Sequence, residues 1–136
     1  MLRAVLDTNV LISSLFFGGN PRRVVDLAAA GRFQAVSSIA LLAELETVLL
    51  EDFRAPAERV EEIIRDVLSF CVIAPEMPEF TANVRDSGDV KVLACAVGGE
   101  ADYIVTGDRD LLALGRWEDI SILTPEQFLA SAPLGS

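Results

Sequence analysis

The fold is decided by the stretch ADYIVTGDRDLLAL, residues 101–114. Its apolar first half predicts a strand over 102–106, and its second half predicts a short helix that begins at Asp108. Gly107 permits a sharp turn between the two. Asp108 and Asp110 therefore follow a strand end, which is where open α/β sheets usually bind ligands. They can instead be a helix cap and a first-turn acid that the helix dipole favours.

The rest of the chain alternates in the same way between short apolar strands and helices. Strands are predicted at 2–6, 33–36, 71–74, 102–106 and 120–123, and helices at about 9–16, 21–30, 38–50, 56–70, 88–97 and 124–130. This alternation predicts an α/β fold, a three-layer α/β/α sandwich around a central parallel sheet of about five strands. We expect one domain over residues 1–131 and a short tail at 132–136.

Asp7 follows the first strand directly, in the stretch VLDTNVLI at 5–12. A carboxylate at such a strand-to-helix turn either binds a ligand or caps the helix that follows. The residues of this stretch leave both interpretations open.

Asp89 is more informative because of its position on a helical wheel. Val92, Leu93 and Ala96 belong to the apolar arc of their helix, and Asp89 falls within that arc. A carboxylate on a buried face is costly unless a cation or hydrogen bonds compensate it, which favours a functional role over an interaction with the helix dipole. Asp86 can cap the same helix and is a secondary candidate ligand.

A fourth acid is expected on the helix LLAELETVLL at 41–50. Glu44 and Glu46 lie at similar distances from the two edges of its apolar arc, so periodicity does not choose between them.

These acids converge if the sheet is parallel, because the carboxyl ends of its strands meet at one edge. The chain contains no histidine. Several carboxylates without histidine suit a hard divalent cation such as Mg²⁺ or Mn²⁺. The first hypothesis is therefore metal-dependent phosphodiester chemistry.

The charge of the chain limits the kinds of nucleic-acid binding that are expected. Its net charge is −10, from 21 acidic and 11 basic residues. This argues against a protein that coats DNA or RNA through its whole surface. It argues less against a metal-centred nuclease, because bound cations cancel part of the local negative charge.

The apolar segments predict a cytoplasmic protein without a membrane partner. No run approaches the ~18 residues needed to cross a bilayer, and Asp7 and Asn9 interrupt the apolar N-terminal segment, which argues against a signal peptide. Cys71 and Cys95 have no CxxC-type neighbour and are expected in the core of a protein from a reducing compartment.

Four stretches together resemble a PIN domain: DTNVLISSL (7–15), AELETVL (43–49), RDSGDVKVLACAV (85–97) and ADYIVTGDRDLLAL (101–114). They are similar in particular to bacterial PIN proteins that are toxins of toxin–antitoxin pairs, the VapC-type ribonucleases. The resemblance runs from about Leu2 to Leu129. Its last motif is long and specific, whereas DTN alone is a weak signal.

The resemblance implies a Mg²⁺- or Mn²⁺-dependent ribonuclease on a parallel α/β/α sandwich. By position, it implies catalytic and metal-binding acids at Asp7, Glu44, Asp89 and Asp108, a further metal ligand at Asp110, and supporting polar residues at Thr8, Asn9 and Thr106. It thus selects Glu44 over Glu46. It also implies an RNA substrate, a cognate antitoxin protein and a homodimer.

One position departs from the family pattern. Many relatives have Asn or Asp after the third acid, where this chain has Val90. The departure leaves the acids intact and removes a polar group that can support them, so we expect it to affect catalytic efficiency and not the mechanism.

Three cations are candidates for phosphate contacts. Arg85, Lys91 and Arg109 lie beside the acids in sequence, and arginine in particular suits phosphate geometry. The alternative is that they are surface charges that keep the protein soluble.

Two other functions remain to be weighed. A haloacid-dehalogenase-type phosphohydrolase needs Asp-x-Asp after the first strand, where this chain has Asp7-Thr8-Asn9, and a receiver domain needs a lysine late in the chain, where the only lysine is Lys91. Both are disfavoured. A PIN fold that binds RNA or a partner without cutting is the remaining alternative, and the full set of acids argues against it.

Overall fold

In the computed structural model, which describes residues 1–82 and 87–134, the strands form one sheet. They are β1 (Arg3–Leu6), β2 (Gln34–Ser37), β3 (Cys71–Ile73), β4 (Tyr103–Val105), β5 (Arg116–Trp117) and β6 (Ile120–Leu123), in the spatial order β3-β2-β1-β4-β6-β5. All neighbours are parallel except β5, which pairs antiparallel with β6 at one edge. The predicted five parallel strands are confirmed.

The sequence did not predict β5. This strand has two residues and forms a tight hairpin with β6, in which Glu118 adopts a positive φ of 54°. Two residues are too few for an alternating pattern, and the turn lacks the Asn-Gly or Asp-Gly pair that signals a hairpin.

Helices cover both faces of the sheet. They are α1 (Thr8–Phe16), α2 (Gly19–Ala29), α3 (Ile39–Thr47), α4 (Ala57–Phe70), α5 (Ser87–Gly98), α6 (Arg109–Leu114) and α7 (Pro125–Ser131), and a π-helical turn (Val48–Asp52) extends α3. One core cluster packs α1, α2, α4 and α7 against Ala4 and Leu6, and the other packs α5 and α6 against Val5. Alternate residues of β1 thus face opposite layers, and the three-layer α/β/α class is confirmed.

Two helix ends differ from the sequence predictions. α2 begins at Gly19, before the predicted start at residue 21, and its N-cap is Gly18, at a φ of 69°. The segment that starts at Ser38 does not remain α-helical to Leu50, because the chain widens into the π-helical turn after Thr47. Periodicity does not report such a widening, since one turn changes the spacing of only a few residues.

The two cysteines lie in the core as predicted. Cys71 and Cys95 are 9 % and 2 % exposed, and burial raises the pKa of both thiols to about 12. Arg85 and Asp86, which the sequence singled out, lie outside the described residues. Within the described ranges, no helix has the length and apolarity needed to cross a membrane.

Candidate functional site

Asp7 lies at the carboxyl end of the central strand β1 and is 6 % exposed. Its Oδ1 accepts a hydrogen bond from the Thr8 backbone N–H (2.8 Å), and its Oδ2 accepts from the Thr106 hydroxyl (2.7 Å) and the Asn9 amide (3.0 Å). Asp7 is therefore both the N-cap of α1 and a carboxylate fixed by its neighbours. The two interpretations of this residue were not exclusive.

The turn after β4 is tied to the turn after β1. The Gly107 N–H donates to Oδ1 of Asn9 (2.9 Å), and the Asp108 N–H donates to the Thr106 hydroxyl (3.0 Å). A Cβ at Gly107 would stand 3.3 Å from Oδ1 of Asn9, so glycine suits this close approach. Asp108 caps α6 by accepting from the Asp110 N–H (2.8 Å). These bonds hold the two strand ends together.

Asp89 lies in the first turn of α5 and is 3 % exposed. The helical wheel predicted this inward position. Within the described part of the chain, one carboxylate oxygen each of Asp89, Asp108 and Asp110 lies within 4.8 Å of the others. The acids of two sequence motifs thus meet at one point.

Asp7, Glu44, Asp89 and Asp108 line one open cleft of about 390 Å³. We call it the acid cleft; its other lining residues are Thr8, Asn9, Ile12, Ser13, Val48 and Gly88. Glu46 lies instead in a different groove, between α3 and α4. The structure therefore places Glu44, and not Glu46, with the aspartates.

The electrostatics of the cleft are unfavourable to an unpaired negative charge. Burial raises the pKa of Asp7 above its ordinary value of 3.8, and the negative charges of Glu44 and Asp108 raise it further. Hydrogen bonds from Thr106 and Thr8 oppose this shift, since they stabilise the carboxylate form. A cation in the cleft would relieve the repulsion.

The Thr8 side chain gives an independent indication of a bound group. Thr8 is 5 % exposed and lines the acid cleft, yet its buried hydroxyl has no hydrogen-bond partner among the described residues. A buried hydroxyl without a partner costs about 1–3 kcal/mol. An all-oxygen donor set together with this hydroxyl fits a hard divalent cation and its water.

The predicted phosphate-binding cations have different surroundings. The Lys91 ammonium is 3.8 Å from Oε2 of Glu44, with half of its side chain exposed. Arg109 is exposed at the start of α6, next to Asp108. Val90 lines a neighbouring pocket of about 270 Å³ and not the acid cleft. Val90, which stands where many relatives have Asn or Asp, therefore lies at the margin of the site.

Sequence reasoning missed the walls of the cleft. Ile12 and Ser13 of α1 and Val48 after α3 flank the acids. The available signal was helical spacing, because each of them lies four residues after Thr8, Asn9 or Glu44 and hence on the same helix face.

Two comparisons with known proteins found a match, one to a family model and one to a solved structure. A family model described as PIN domain matches residues 3–110. The crystal structure of VapBC2 from Rickettsia felis bound to a DNA fragment from their promoter matches with a TM-score of 0.62 and 16 % sequence identity, over 89 % of this chain and 97 % of that chain. That likeness concerns the fold. No curated protein matches the sequence significantly.

Proposed function

Because the chain belongs to the PIN domain family, we propose that it is a Mg²⁺- or Mn²⁺-dependent endoribonuclease and the toxin of a toxin–antitoxin pair. The observation that carries the proposal is the meeting of the acids. The oxygens of Asp89, Asp108 and Asp110 lie within 4.8 Å of one another, at a cleft that Asp7 and Glu44 also line. Several carboxylates held close together despite their mutual repulsion are typical of sites for metal-dependent phosphodiester hydrolysis.

Asp7, Glu44, Asp89 and Asp108 would hold the cation, with Asp110 assisting directly or through water. When bound, a divalent cation lowers the pKa of water and offsets negative charge on the phosphate that is attacked. Asp7 is firmly oriented, since both of its oxygens accept hydrogen bonds from the chain. The Thr8 hydroxyl would orient a water molecule in the cleft.

Two cations flank the acids on the described surface. Lys91 reaches Glu44 across the cleft margin, and Arg109 is exposed beside Asp108. We propose that both contact phosphates of the substrate, Arg109 with the fork geometry that suits two phosphate oxygens. Because Lys91 also neutralises part of the charge of Glu44, its loss should weaken RNA binding and raise the repulsion among the acids.

The toxin role requires a cognate antitoxin protein. The fold likeness to the VapBC2 structure and the resemblance of the four quoted stretches to toxin components support this partner. An acid cleft is complementary to a cationic side chain, so an antitoxin that inserts an arginine there would inhibit the enzyme. A homodimer and a cytoplasmic location belong to the same proposal.

Cleavage of a mixed pool of single-stranded RNA and tRNA tests the activity. The purified chain is expected to cut in Mn²⁺ or Mg²⁺ and not in EDTA, and Asp108→Asn prepared identically is expected not to cut. Equal cutting by both proteins would indicate a contaminating nuclease. Metal-independent cutting lost in the variant would contradict the metal mechanism.

Expression of the chain without a partner tests the toxin role separately. Growth arrest by the natural sequence and not by Asp7→Asn supports it. Unchanged growth in both cultures, together with RNA cleavage in vitro, would support the nuclease activity and contradict the toxin role.

The second candidate function is a PIN fold that binds RNA or a partner without cutting. The observation in its favour is Val90, an apolar residue at a position where many relatives have an Asn or Asp that can support the acids. Binding of RNA without cleavage under every metal condition would select it.

A further inference from the structure

Three phenylalanines at the carboxyl ends of α1 and of the π-helical turn are exposed. Phe16 and Phe53 are 46 % and 41 % exposed, and Phe17 is 78 % exposed. The rings of Phe16 and Phe53 are stacked, with centroids 4.5 Å apart and an interplanar angle of 2°. Large aromatic side chains are normally buried, so a stacked pair with this exposure points to a binding surface.

Both walls of the acid cleft lead to this pair. On α1, Ile12 and Ser13 line the cleft, and Phe16 follows them by one helical turn on the same face. At a rise of ~1.5 Å per residue, Phe16 lies roughly 13 Å along the helix from Asp7. The pair is thus close enough for one short strand of nucleic acid to reach both the rings and the acids.

On the opposite wall, the π-helical turn brings Phe53 into position. Val48 lines the cleft, and the Phe53 N–H donates to the Val48 carbonyl over 3.2 Å. Phe53 thus follows Val48 by one wide turn and stacks on Phe16. Single π-helical turns are frequent at functional sites. Here the turn positions Phe53 so that its ring stacks on that of Phe16.

A cation adjoins the rings. Arg54 is exposed, follows Phe53 directly and forms no ion pair with the described residues. Its φ of 52° lies in the left-handed region, which favours glycine after a helix. Glu100 and Glu118 adopt the same conformation elsewhere, so the argument rests on the place of Arg54 beside the rings and not on its strain.

We propose that Phe16 and Phe53, with Arg54, form a subsite that stacks an unpaired base of single-stranded RNA next to the acid cleft. The inference rests on the proposed function, since the strand that lies on the rings is the strand whose phosphodiester bond the acids cut. Aromatic rings that alternate with cations are the usual means of holding single strands. The subsite makes the enzyme select unpaired RNA over duplex.

RNA suits this surface better than a second copy of the chain. In a symmetric dimer through this patch, the exposed acids Glu51 and Asp52, which immediately precede Phe53, would face the same acids of the second copy. A strand of RNA is also negative, but it can place a base on the rings and a phosphate at Arg54. The rings thus fit a flat, apolar group with an anion beside it.

Binding of a short, unstructured RNA of mixed sequence tests the proposal in the full chain. Fluorescence anisotropy in Mg²⁺ is measured in the Asp7→Asn background, to prevent cutting. Phe16→Leu and Phe53→Leu are compared with Phe70→Leu, which makes the same change at the end of α4, outside both the ring stack and the acid cleft. Phe53→Tyr keeps a ring that can stack.

The leucine variants at the subsite are expected to bind about tenfold more weakly, which corresponds to about 1.4 kcal/mol. Phe70→Leu and Phe53→Tyr are expected to bind like the parent. Equal affinity in Phe16→Leu, Phe53→Leu and the parent would overturn the subsite. Loss of a dimer in size-exclusion chromatography, with unchanged RNA affinity, would overturn it too and assign the rings to a second copy.

The nuclease and the subsite can fail separately. Ring-dependent RNA binding by a chain that never cuts would sustain the subsite and refute the proposed nuclease. Metal-dependent cutting, with equal RNA affinity in all ring variants, would support the nuclease and refute the subsite. Absence of RNA binding by the parent would overturn the subsite.

Discussion

The hydroxyl of Thr106 donates a hydrogen bond of 2.7 Å to Oδ2 of Asp7, across 99 positions of the chain. The same hydroxyl accepts from the Asp108 N–H. A single buried side chain thus fixes one acid of the cleft and the backbone that presents another. The preorganisation of the site depends on this link between the ends of β1 and β4.

Replacing Thr106 with valine is the most selective way to break that link, because valine keeps the shape of the side chain and loses the hydroxyl. The free energy of unfolding is expected to fall by about 1–3 kcal/mol, since a hydrogen bond to a charged group and a backbone donor both lose their partner. Urea denaturation in EDTA measures it. Thr106→Ser, which keeps the hydroxyl, is the control and should lose less; equal losses would show that packing, not hydrogen bonding, matters here.

Asp7 should make the metal-free protein less stable as pH rises. Its pKa in the folded state is raised above the ordinary value of 3.8, mainly because of burial. Between pH 3.8 and this raised pKa, the folded state therefore binds more protons than the unfolded state. The stabilising contribution of protonated Asp7 is complete below 3.8 and is lost as pH rises through the folded pKa. Relative to Asp7→Asn, the natural sequence should therefore lose stability from acid to neutral pH.

Urea denaturation of both proteins in EDTA across this pH range measures that difference. A constant difference between them would contradict the raised pKa. Mn²⁺ added at neutral pH should stabilise the natural sequence more than Asp7→Asn, because a bound cation compensates the buried charge of Asp7.

Glu44 and Glu46 offer a matched pair of substitutions on one helix. Glu44→Gln is expected to reduce metal-dependent RNA cleavage by about a hundredfold or more, on the scale of losing one group that stabilises charge in the transition state. Glu46→Gln is expected to cut like the natural sequence, because Glu46 lies in a different groove. Initial rates of RNA cleavage at saturating metal, measured for both variants and the natural sequence, test this expectation. Equal rates for the two variants would remove Glu44 from the site.

The sequence predicted those parts of the fold and site that depend on local patterns. Asp89 could be placed because Val92, Leu93 and Ala96 define the buried face of its helix. Glu44 could not, because the helical wheel treats it and Glu46 alike, and only the packing of α3 beside α1 separates them. The family resemblance supplied that choice.

Features that depend on contacts between distant segments were beyond sequence reasoning. The stack of Phe16 on Phe53 requires a π-helical turn, and nothing in the stretch VLLED signals one. The buried hydroxyl of Thr8 without a partner and the ion pair of Lys91 with Glu44 likewise arise from packing. Local periodicity carries no information on such pairs.

Calorimetric titration of the purified chain with Mn²⁺ tests most directly the central claim that the acid cleft holds a divalent cation. The natural sequence and Glu46→Gln should bind Mn²⁺ with the same affinity, and Asp89→Asn should bind it at least tenfold more weakly. At a concentration of ~100 times the dissociation constant, Mn²⁺ should also stabilise the first two proteins by about 2.7 kcal/mol. Equal binding by all three proteins, or binding by none, would contradict the assignment of the cleft as a metal site.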